Sequence, residues 1–297
     1  MFVIFGASGR AGYASASALR KAGRRVRAVV RGAHQGERLA ALGCEIALAD
    51  LRDTKSVAAA LEGAGAVQML CPVPEGDTQP ETTMRQMIDA AASALRTNPP
   101  PVVLAISDYG AELPLNTGIT GLYHYLEHRL THVAPHLTLL RSAEHMQNWA
   151  RILPPALASG VLPSLHHPLT QPIPTVSAED VGTVAAELLL DAPRAKPLRI
   201  VSIEGPRRVS VNEIAATLGE LSGRPIRAQT LPRDAWTPTL LRAGLSENHA
   251  RLITDLYDVY NTGKIDVESD RSERRFGKTE LRTVFASLLS RLPSALS

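Results

Sequence analysis

Gly6-Ala7-Ser8-Gly9-Arg10-Ala11-Gly12 follows the apolar run 2–5 directly and opens a helix-compatible stretch. A strand, a glycine-rich turn and a helix in this order indicate the phosphate-binding turn of a dinucleotide-binding fold. The glycines permit a tight turn, close approach of backbone amides to a pyrophosphate and close packing of helix on strand. The amino end of the helix adds a partial positive charge. We therefore predict that a dinucleotide binds at Gly6, Ala7, Ser8, Gly9, Arg10, Ala11 and Gly12.

Beyond this loop, short apolar runs alternate with helical stretches as far as about Arg141. This alternation is typical of a parallel sheet with helices on both faces. We predict an α/β, doubly wound parallel-sheet Rossmann fold with a second, smaller α/β C-terminal domain. Residues 1–145 form the first domain and 146–297 the smaller one, with 178–203 returning to the first. Residues 154–174, rich in Pro, His and Ser, are predicted to be irregular and to cover a cleft.

Composition narrows the class of protein. Of 297 residues, 44% are hydrophobic and 21% charged, which is typical of a globular protein. The only cysteines, Cys44 and Cys71, lie in apolar stretches, which suits a reducing compartment. With neither a signal-like start nor an apolar run of membrane-spanning length, we expect a cytoplasmic protein without membrane contact. A basic cluster follows the first helix, but no nucleic-acid-binding motif accompanies it, so we predict no direct nucleic-acid binding.

The end of the second strand indicates which of NADP(H) and NAD(H) is the preferred cofactor. It reads Val29-Val30-Arg31, with no acid nearby to hold a ribose hydroxyl. A guanidinium there can bind a 2′-phosphate bidentately, so Arg31 favours NADP(H), with help from Arg10. Arg31 can also be read as one more solvated surface arginine. NAD(H) stays possible as the cofactor.

Three further strand ends are predicted to contact the cofactor, because ligands of open α/β sheets bind at the carboxyl ends of strands. Asp50 is read either as an acceptor for the adenine amine or as a turn residue. Backbone contacts with the cofactor are expected at the end of the fourth strand. No reactive role is expected for the cysteine there. The predicted residues are Asp50, Leu51, Leu70, Cys71, Pro72 and Ser107.

Several segments together resemble the NmrA-like branch of atypical short-chain dehydrogenase/reductases, a branch of the NAD(P)-binding Rossmann superfamily. The G-x-x-G-x-x-G spacing is one of them, and the more specific one is the stretch from Arg141 to Trp149, with its Met146 and Asn148. The others are 107–111, 118–127, 177–182 and 204–206.

The resemblance implies a cofactor domain, a small C-terminal domain and a cleft between them. It also implies one of two functions: an NADPH-dependent reductase of quinones or similar compounds, or a non-catalytic dinucleotide sensor that regulates a protein partner. Many relatives carry a lysine on the helix after the fifth strand, whereas residues 119–131 contain none.

Catalytic candidates come from the same helix and from the loop before it. Tyr125 and Arg129 have the spacing of a proton-donating tyrosine and a cation one turn on. Tyr109, directly after the fifth strand, can orient the nicotinamide or a carbonyl; a capping loop is the other interpretation. The literal Tyr-x-x-x-Lys begins at Tyr260, far too late in the chain, and contains the helix-breaking Gly263.

A metal site is not predicted. Histidines recur every four residues at positions 124, 128, 132 and 136, but no further ligands support them. We favour an NAD(P)H-dependent oxidoreductase whose small-molecule substrate is a quinone or a carbonyl compound. The alternative is a sensor of NAD(P)(H) with a protein partner. A quinone is preferred because its reduction demands few acid–base groups of the protein.

Overall fold

The computed structural model describes residues 1–74, 76–113, 116–131, 133, 135–191 and 197–292. Within these ranges, eight parallel strands form one sheet: β1 (Phe2–Ile4), β2 (Val26–Val30), β3 (Glu45–Leu48), β4 (Ala66–Met69), β5 (Val102–Asp108), β6 (His136–Ser142), β10 (Leu198–Glu204) and β12 (Glu273–Phe276). Their order is β12-β10-β6-β5-β4-β1-β2-β3. The strand order reverses between β1 and β4, which is where a doubly wound sheet opens a crevice for a ligand.

Helices cover both faces of the sheet, each over its own apolar core. One face carries α1 (Arg10–Lys21), α2 (Glu37–Ala41) and α7 (Ala178–Leu190); the other carries α3 (Thr54–Leu61), α4 (Pro80–Thr97) and α5 (Ile119–Leu130). The closest crossing is that of α1 and α7. A β-carbon built on Gly182 would lie 2.0 Å from the carbonyl oxygen of Ala11. Glycine is therefore required there for the two helices to pack.

Several of the remaining elements share a third apolar core. The remaining elements are β7 (Glu144–His145), α6 (Leu153–Ser159), β8 (Val161–Ser164), β9 (Thr175–Val176), α8 (Val211–Ser222), β11 (Arg227–Thr230), α9 (Arg233–Arg242), α10 (Glu247–Tyr260) and α11 (Leu281–Leu289). The strands pair in parallel as β7–β9 and β8–β11. Helical turns of the 3-10 type occupy Ala33–Gly36 and Met146–Arg151.

The structure confirms the fold class predicted from the sequence and corrects two details. The segment 154–174 is not irregular throughout, because it contains most of α6 and all of β8. The strand β12 was not predicted, since its residues Glu-Arg-Arg-Phe are all exposed and show no apolar run. Although β12 lies in the range predicted for the smaller domain, it forms an edge strand of the main sheet. The domain boundaries stay a prediction. None of the described helices is both long and apolar enough to span a membrane.

Candidate functional site

The glycine loop, residues 6–12, links β1 to α1 in a backbone path that requires two of its glycines. Gly6 has φ of +74°, and a β-carbon there would lie 2.9 Å from Cδ2 of Leu70. A β-carbon on Gly12 would lie 2.1 Å from the carbonyl oxygen of Gly6. These two glycines are explained by the turn and by helix packing alone.

Gly9 is different, because the fold does not require a glycine there. Its φ and ψ of −78° and 168° suit any residue. A β-carbon would meet only the carbonyl oxygen of Gly6, at an ordinary 3.4 Å. Ser8 and Gly9 are exposed at the carboxyl end of β1. The space in front of Gly9 is thus a cradle that a side chain would fill, which fits the close approach of a pyrophosphate to the backbone.

The amino end of α1 is also open to an anion. No side chain caps it, and its first turn contains no acid. By contrast, Asp53, Ser177, Ser210 and Ser246 cap α3, α7, α8 and α10 through their side chains. The free amides and the helix dipole at the start of α1 therefore remain available to phosphate oxygens.

The ends of β2 and β3 bring three charged groups together. Arg31 is exposed and close enough to Asp50 to help lower the pKa of that carboxyl. The main cause of the lowered pKa is Arg52, whose Nη2 lies 2.6 Å from Oδ2 of Asp50. The sequence interpretation that no acid stands near Arg31 was incomplete, because Asp50 comes from the next strand. Asp77 also interacts with Arg52, whereas Arg31 stays exposed and can still contact a 2′-phosphate.

Other predicted cofactor residues have places that the structure defines. Leu70 packs against Gly6, so the end of β4 borders the glycine loop. Cys71 is fully buried, and burial raises the pKa of its thiol to about 12, which leaves it unreactive. Leu51 is half-buried and Pro72 exposed. Arg10 is engaged by Glu179 of α7, with 3.1 Å from Nη1 to Oε1.

A buried ion cluster lies at the carboxyl end of β5 and β6. Arg141 is 4% exposed; its Nε and Nη2 lie 2.9 and 2.7 Å from the two carboxylate oxygens of Glu127. Its Nη1 also binds Glu112 and Glu268. Ser107 donates to Oε1 of Glu127 at 2.6 Å, so the predicted cofactor residue Ser107 directs its hydroxyl at α5. The cluster ties α5 to the sheet.

The catalytic pair predicted on α5 has other partners. The Tyr125 hydroxyl donates to Oδ1 of Asp89 on α4 at 2.7 Å, and Arg129 pairs with the same carboxylate at 2.7 Å. The Arg85 guanidinium lies 4.7 Å from the centre of the Tyr125 ring. Residues two apart on a helix do not share a face, and it is Tyr123 that faces the site. The structure therefore places Tyr125 and Arg129 at the α4–α5 contact, and a catalytic role of this pair stays a prediction.

Tyr109 follows β5 as predicted, but its ring is buried rather than presented to a ligand. It is 3% exposed and packs in the core cluster that contains Ile203 and Ile265. Its backbone amide donates to the carbonyl of Ser142 at 3.0 Å. Burial raises the pKa of its phenol well above the usual range, so Tyr109 is a poor proton donor.

A group of acids and tyrosines that sequence reasoning did not bring together lies at this edge of the sheet. Its members are Asp108 at the end of β5, Tyr123 of α5, Glu144 after β6, and Tyr257 and Tyr260 of α10. Each is partly accessible to solvent. Asp108 interacts electrostatically with Glu144, Tyr123 and Tyr260, and the Tyr257 hydroxyl donates to Glu144 Oε1 at 3.3 Å. We call this group the carboxyl-edge cleft. No contiguous sequence signal marks it, since its members come from four separate segments.

A buried histidine contacts three residues of the carboxyl-edge cleft. His166 is 3% exposed, and its Nε2 lies 2.8 Å from Oε2 of Glu144. Trp149 stacks on its ring at 6.3 Å, and Tyr257 and Tyr260 meet it edge-on at 4.7 Å. Nδ1 of His166, Nε1 of Trp149 and the Tyr260 hydroxyl have no hydrogen-bond partner within the described residues. The sequence had marked His166 only as a residue of the segment over a cleft.

The histidine stripe on α5 does not assemble as a set. His132 lies outside the described residues, and Nδ1 of His124 lies 2.8 Å from the carbonyl oxygen of Ala111. In the part of the chain that the structure describes, no group of three or more His, Cys, Asp or Glu side chains is arranged to hold a metal ion.

Comparison with known proteins agrees with this geometry. Residues 1–98, which contain the glycine loop, match the sequence model of the NmrA-like family. The resemblance predicted from the sequence is confirmed.

Two curated relatives match most of the chain. Quinone oxidoreductase 2 of Escherichia coli (strain K12) is 24% identical over 260 residues, which is 86% of each chain. An NAD(P)H azoreductase of Xenophilus azovorans is 24% identical over 258 residues, again 86% of each chain.

A solved structure shows the same fold. The NADPH-dependent quinone oxidoreductase of Escherichia coli, crystallised with NADPH, superposes with a TM-score of 0.78 at 22% identity. The match covers 97% of this chain and all of that one. The likeness extends over both the main sheet and the elements outside it.

Proposed function

Because residues 1–98 of the chain belong to the NmrA-like family, we propose that the protein is an NADPH-dependent oxidoreductase that reduces a quinone or a similar small carbonyl compound. The observation that carries this proposal is the open cradle at Gly9, in front of an uncapped α1, at the crevice between β1 and β4. Two curated relatives, one named a quinone oxidoreductase and the other an NAD(P)H azoreductase, support it.

The residues of the chain have separate tasks in this proposal. The amides of the glycine loop bind the pyrophosphate, and Arg31, with its charge partners Asp50 and Arg52, favours the 2′-phosphate of NADPH over the bare ribose of NADH. The cofactor supplies the hydride. The carboxyl-edge cleft lies two strands from β1 in the sheet and receives the acceptor.

The lining of the carboxyl-edge cleft suits a flat, conjugated acceptor. Aromatic residues make up only 4% of the chain, yet three partly accessible tyrosines, Tyr123, Tyr257 and Tyr260, belong to this group. Aromatic rings bind planar ligands by stacked and edge-to-face contacts. The relative from Xenophilus azovorans is named for azo compounds, so the azo group belongs in any acceptor screen.

One observation favours a second function, that of a non-catalytic sensor of NADP(H). The residue one turn after Tyr123 is Glu127, an acid held by Arg141, in place of the cation that activates a catalytic tyrosine. A sensor would bind oxidised and reduced cofactor with different affinity and present the difference to a protein partner. The two buried free thiols, Cys44 and Cys71, support the cytoplasm as the compartment for either function.

The test has two stages. Calorimetric titration with NADPH, NADP⁺, NADH and NAD⁺ should show tightest binding of an NADP form. NADPH oxidation is then followed with benzoquinone, a naphthoquinone, an aromatic aldehyde and an azo dye, and turnover with a quinone is expected. Binding without turnover on any acceptor would overturn the reductase proposal and favour the sensor; failure to bind any nicotinamide would overturn both.

A further inference from the structure

We propose that Asp108 is the proton donor of the carboxyl-edge cleft, the residue that protonates the acceptor oxygen when a hydride is delivered. This inference rests on the proposed function. It assigns a catalytic role to a residue outside the Tyr-x-x-x-Lys pattern and outside the pair on α5 that the sequence indicated.

The position of Asp108 supports the role. It is the last residue of β5, two strands from β1, so it lies about 10 Å along the carboxyl edge from the glycine loop. A dinucleotide that crosses the crevice between β1 and β4 extends in this direction. Asp108 as a residue is partly accessible to solvent, although protein surrounds its carboxyl group.

The carboxyl group is oriented by its neighbours. Thr120, in the first turn of α5, donates its hydroxyl to Oδ2 of Asp108 at 2.7 Å. With Oδ2 engaged as an acceptor, Oδ1 is the oxygen that can carry a proton toward the cleft. The Thr120 contact thus holds the carboxyl group in place.

Burial and the charges that face Asp108 bring the pKa of its carboxyl close to neutral. Burial is the main cause, and the carboxylates of Glu144 and Glu127 add to it, so the pKa of Asp108 rises to about 7. Arg141 holds Glu127, while His166 lies against Glu144.

The other titratable groups around Asp108 are Tyr123 and His124 of α5, His145 after β6 and Tyr260 of α10. Burial raises the pKa of Tyr123 and of Tyr260 and lowers that of His145, while Nδ1 of His124 is taken up by a backbone carbonyl. Both phenols hold their protons too tightly to donate them at neutral pH, and His145 is neutral. Asp108 is therefore the group with a pKa matched to the task.

The step balances without a further reactant. The hydride of NADPH carries two electrons and one hydrogen to the acceptor, whose C=O π-bond electrons move onto oxygen. The O–H bond of Asp108 breaks and its proton forms the new O–H bond of the alcohol or hydroquinone. Asp108 becomes a carboxylate, and water reaching the cleft returns the proton. The net reaction consumes one acceptor, one NADPH and one H⁺.

The first test is kinetic, on the full chain with NADPH and the best acceptor of the screen. Asp108→Asn keeps the size and the Thr120 contact but holds no transferable proton. We expect turnover to fall about a hundredfold or more, as for loss of a general acid, with unchanged NADPH affinity. Wild-type turnover should be constant below pH about 7 and fall above it, whereas the Asn variant should lose this dependence. Asp108→Glu should restore part of the activity.

The second test needs no turnover. Infrared titration of protein labelled with ¹³C at the aspartate carboxyl should show a protonated carboxyl band that disappears with a midpoint near pH 7. Asp108→Asn should abolish the band, and the matched variant Asp89→Asn, on the outer face of α4, should keep both the band and the activity.

The outcomes separate the two proposals. Turnover of Asp108→Asn near the wild-type rate, or a band that titrates near the usual pH of an aspartate, would overturn the role of Asp108 and leave the reductase intact. No turnover by the wild type on any acceptor would overturn the reductase, and the donor role with it.

Discussion

The glycine loop and the carboxyl-edge cleft lie on one edge of one sheet, but the chain builds them in opposite ways. The glycine loop is seven consecutive residues, and its backbone contacts are fixed by the turn from β1 to α1. The cleft joins Asp108, Tyr123, Glu144 and the α10 tyrosines, which span about half of the chain. The loop offers backbone amides to an anion, whereas the cleft offers acids and aromatic side chains.

This difference separates two kinds of specificity. Backbone amides at a helix start recognise phosphate whatever the surrounding sequence, so the loop fixes the class of cofactor. The cleft depends on side chains brought together by packing, so in the proposed function it would select the acceptor and supply the proton. Substitutions in the two regions should therefore fail in different assays, and the substitutions below use that separation.

The largest effect is expected at the loop, from Gly9→Val. The new side chain would fill the cradle without a clash in the fold, since the nearest atom to its β-carbon is 3.4 Å away. We expect NADPH affinity to fall about a hundredfold or more, through loss of charge-assisted hydrogen bonds to phosphate, with an unchanged melting temperature. The exposed Gly65, whose β-carbon would meet nothing closer than 3.6 Å, gives the control Gly65→Val. Unchanged affinity in calorimetry would remove Gly9 from the site.

The second-largest effect is expected on the preference for NADPH over NADH, from a substitution at Arg31. Arg31→Ala should weaken NADPH about ten- to a hundredfold, the worth of one charge-assisted contact, and scarcely change NADH. Raising the salt concentration should shrink the NADPH advantage of the wild type, because Arg31 is exposed. Arg24→Ala, an exposed arginine outside the site, is the control. Equal ratios of the NADPH and NADH dissociation constants in wild type and Arg31→Ala would contradict this role.

The third expectation concerns the packing that holds the loop in place. Gly182→Ala would put a β-carbon 2.0 Å from the Ala11 carbonyl, so α1 and α7 must separate. Overpacking of this kind costs about 1–3 kcal/mol of unfolding free energy, measured in urea. The matched Gly121→Ala in α5 meets only the flexible hydroxyl of Thr117 at 3.2 Å and should be neutral or stabilising. Equal stability of both variants would show that the helix crossing tolerates a side chain.

The smallest effect is expected on the outer face of α5. Tyr125→Phe removes a hydrogen bond to Asp89 at a surface contact. We expect turnover within about twofold of wild type, far from the loss of about 10²–10⁴-fold that removal of a general acid gives. Steady-state kinetics with NADPH and a quinone decides the matter. A hundredfold loss of turnover would assign the proton donor to Tyr125. It would contradict the separation of the outer face of α5 from the carboxyl-edge cleft.

Local patterns were enough for much of the fold. The glycine loop was predicted from neighbouring residues and is present in the structure. The caps of α3 and α8 are equally local, since Asp53 accepts from the Lys55 amide and Ser210 from the Glu213 amide. These features depend on contacts within a few residues, and such contacts can be predicted from residues that are neighbours in the sequence. The alternation of strands and helices indicated the parallel sheet for the same reason.

Only the tertiary structure decided which side of α5 meets the cleft and which residues gather there. The spacing of Tyr125 and Arg129 fitted a catalytic pair, but helix rotation turns Tyr123 toward Asp108 instead. The approach of Asp50 to Arg31, of Glu144 to His166 and of α10 to the end of β5 arises from contacts between distant segments. Sequence by itself determined the anion-binding loop because backbone geometry is local; packing decided the cleft because its side chains meet only after the chain has folded.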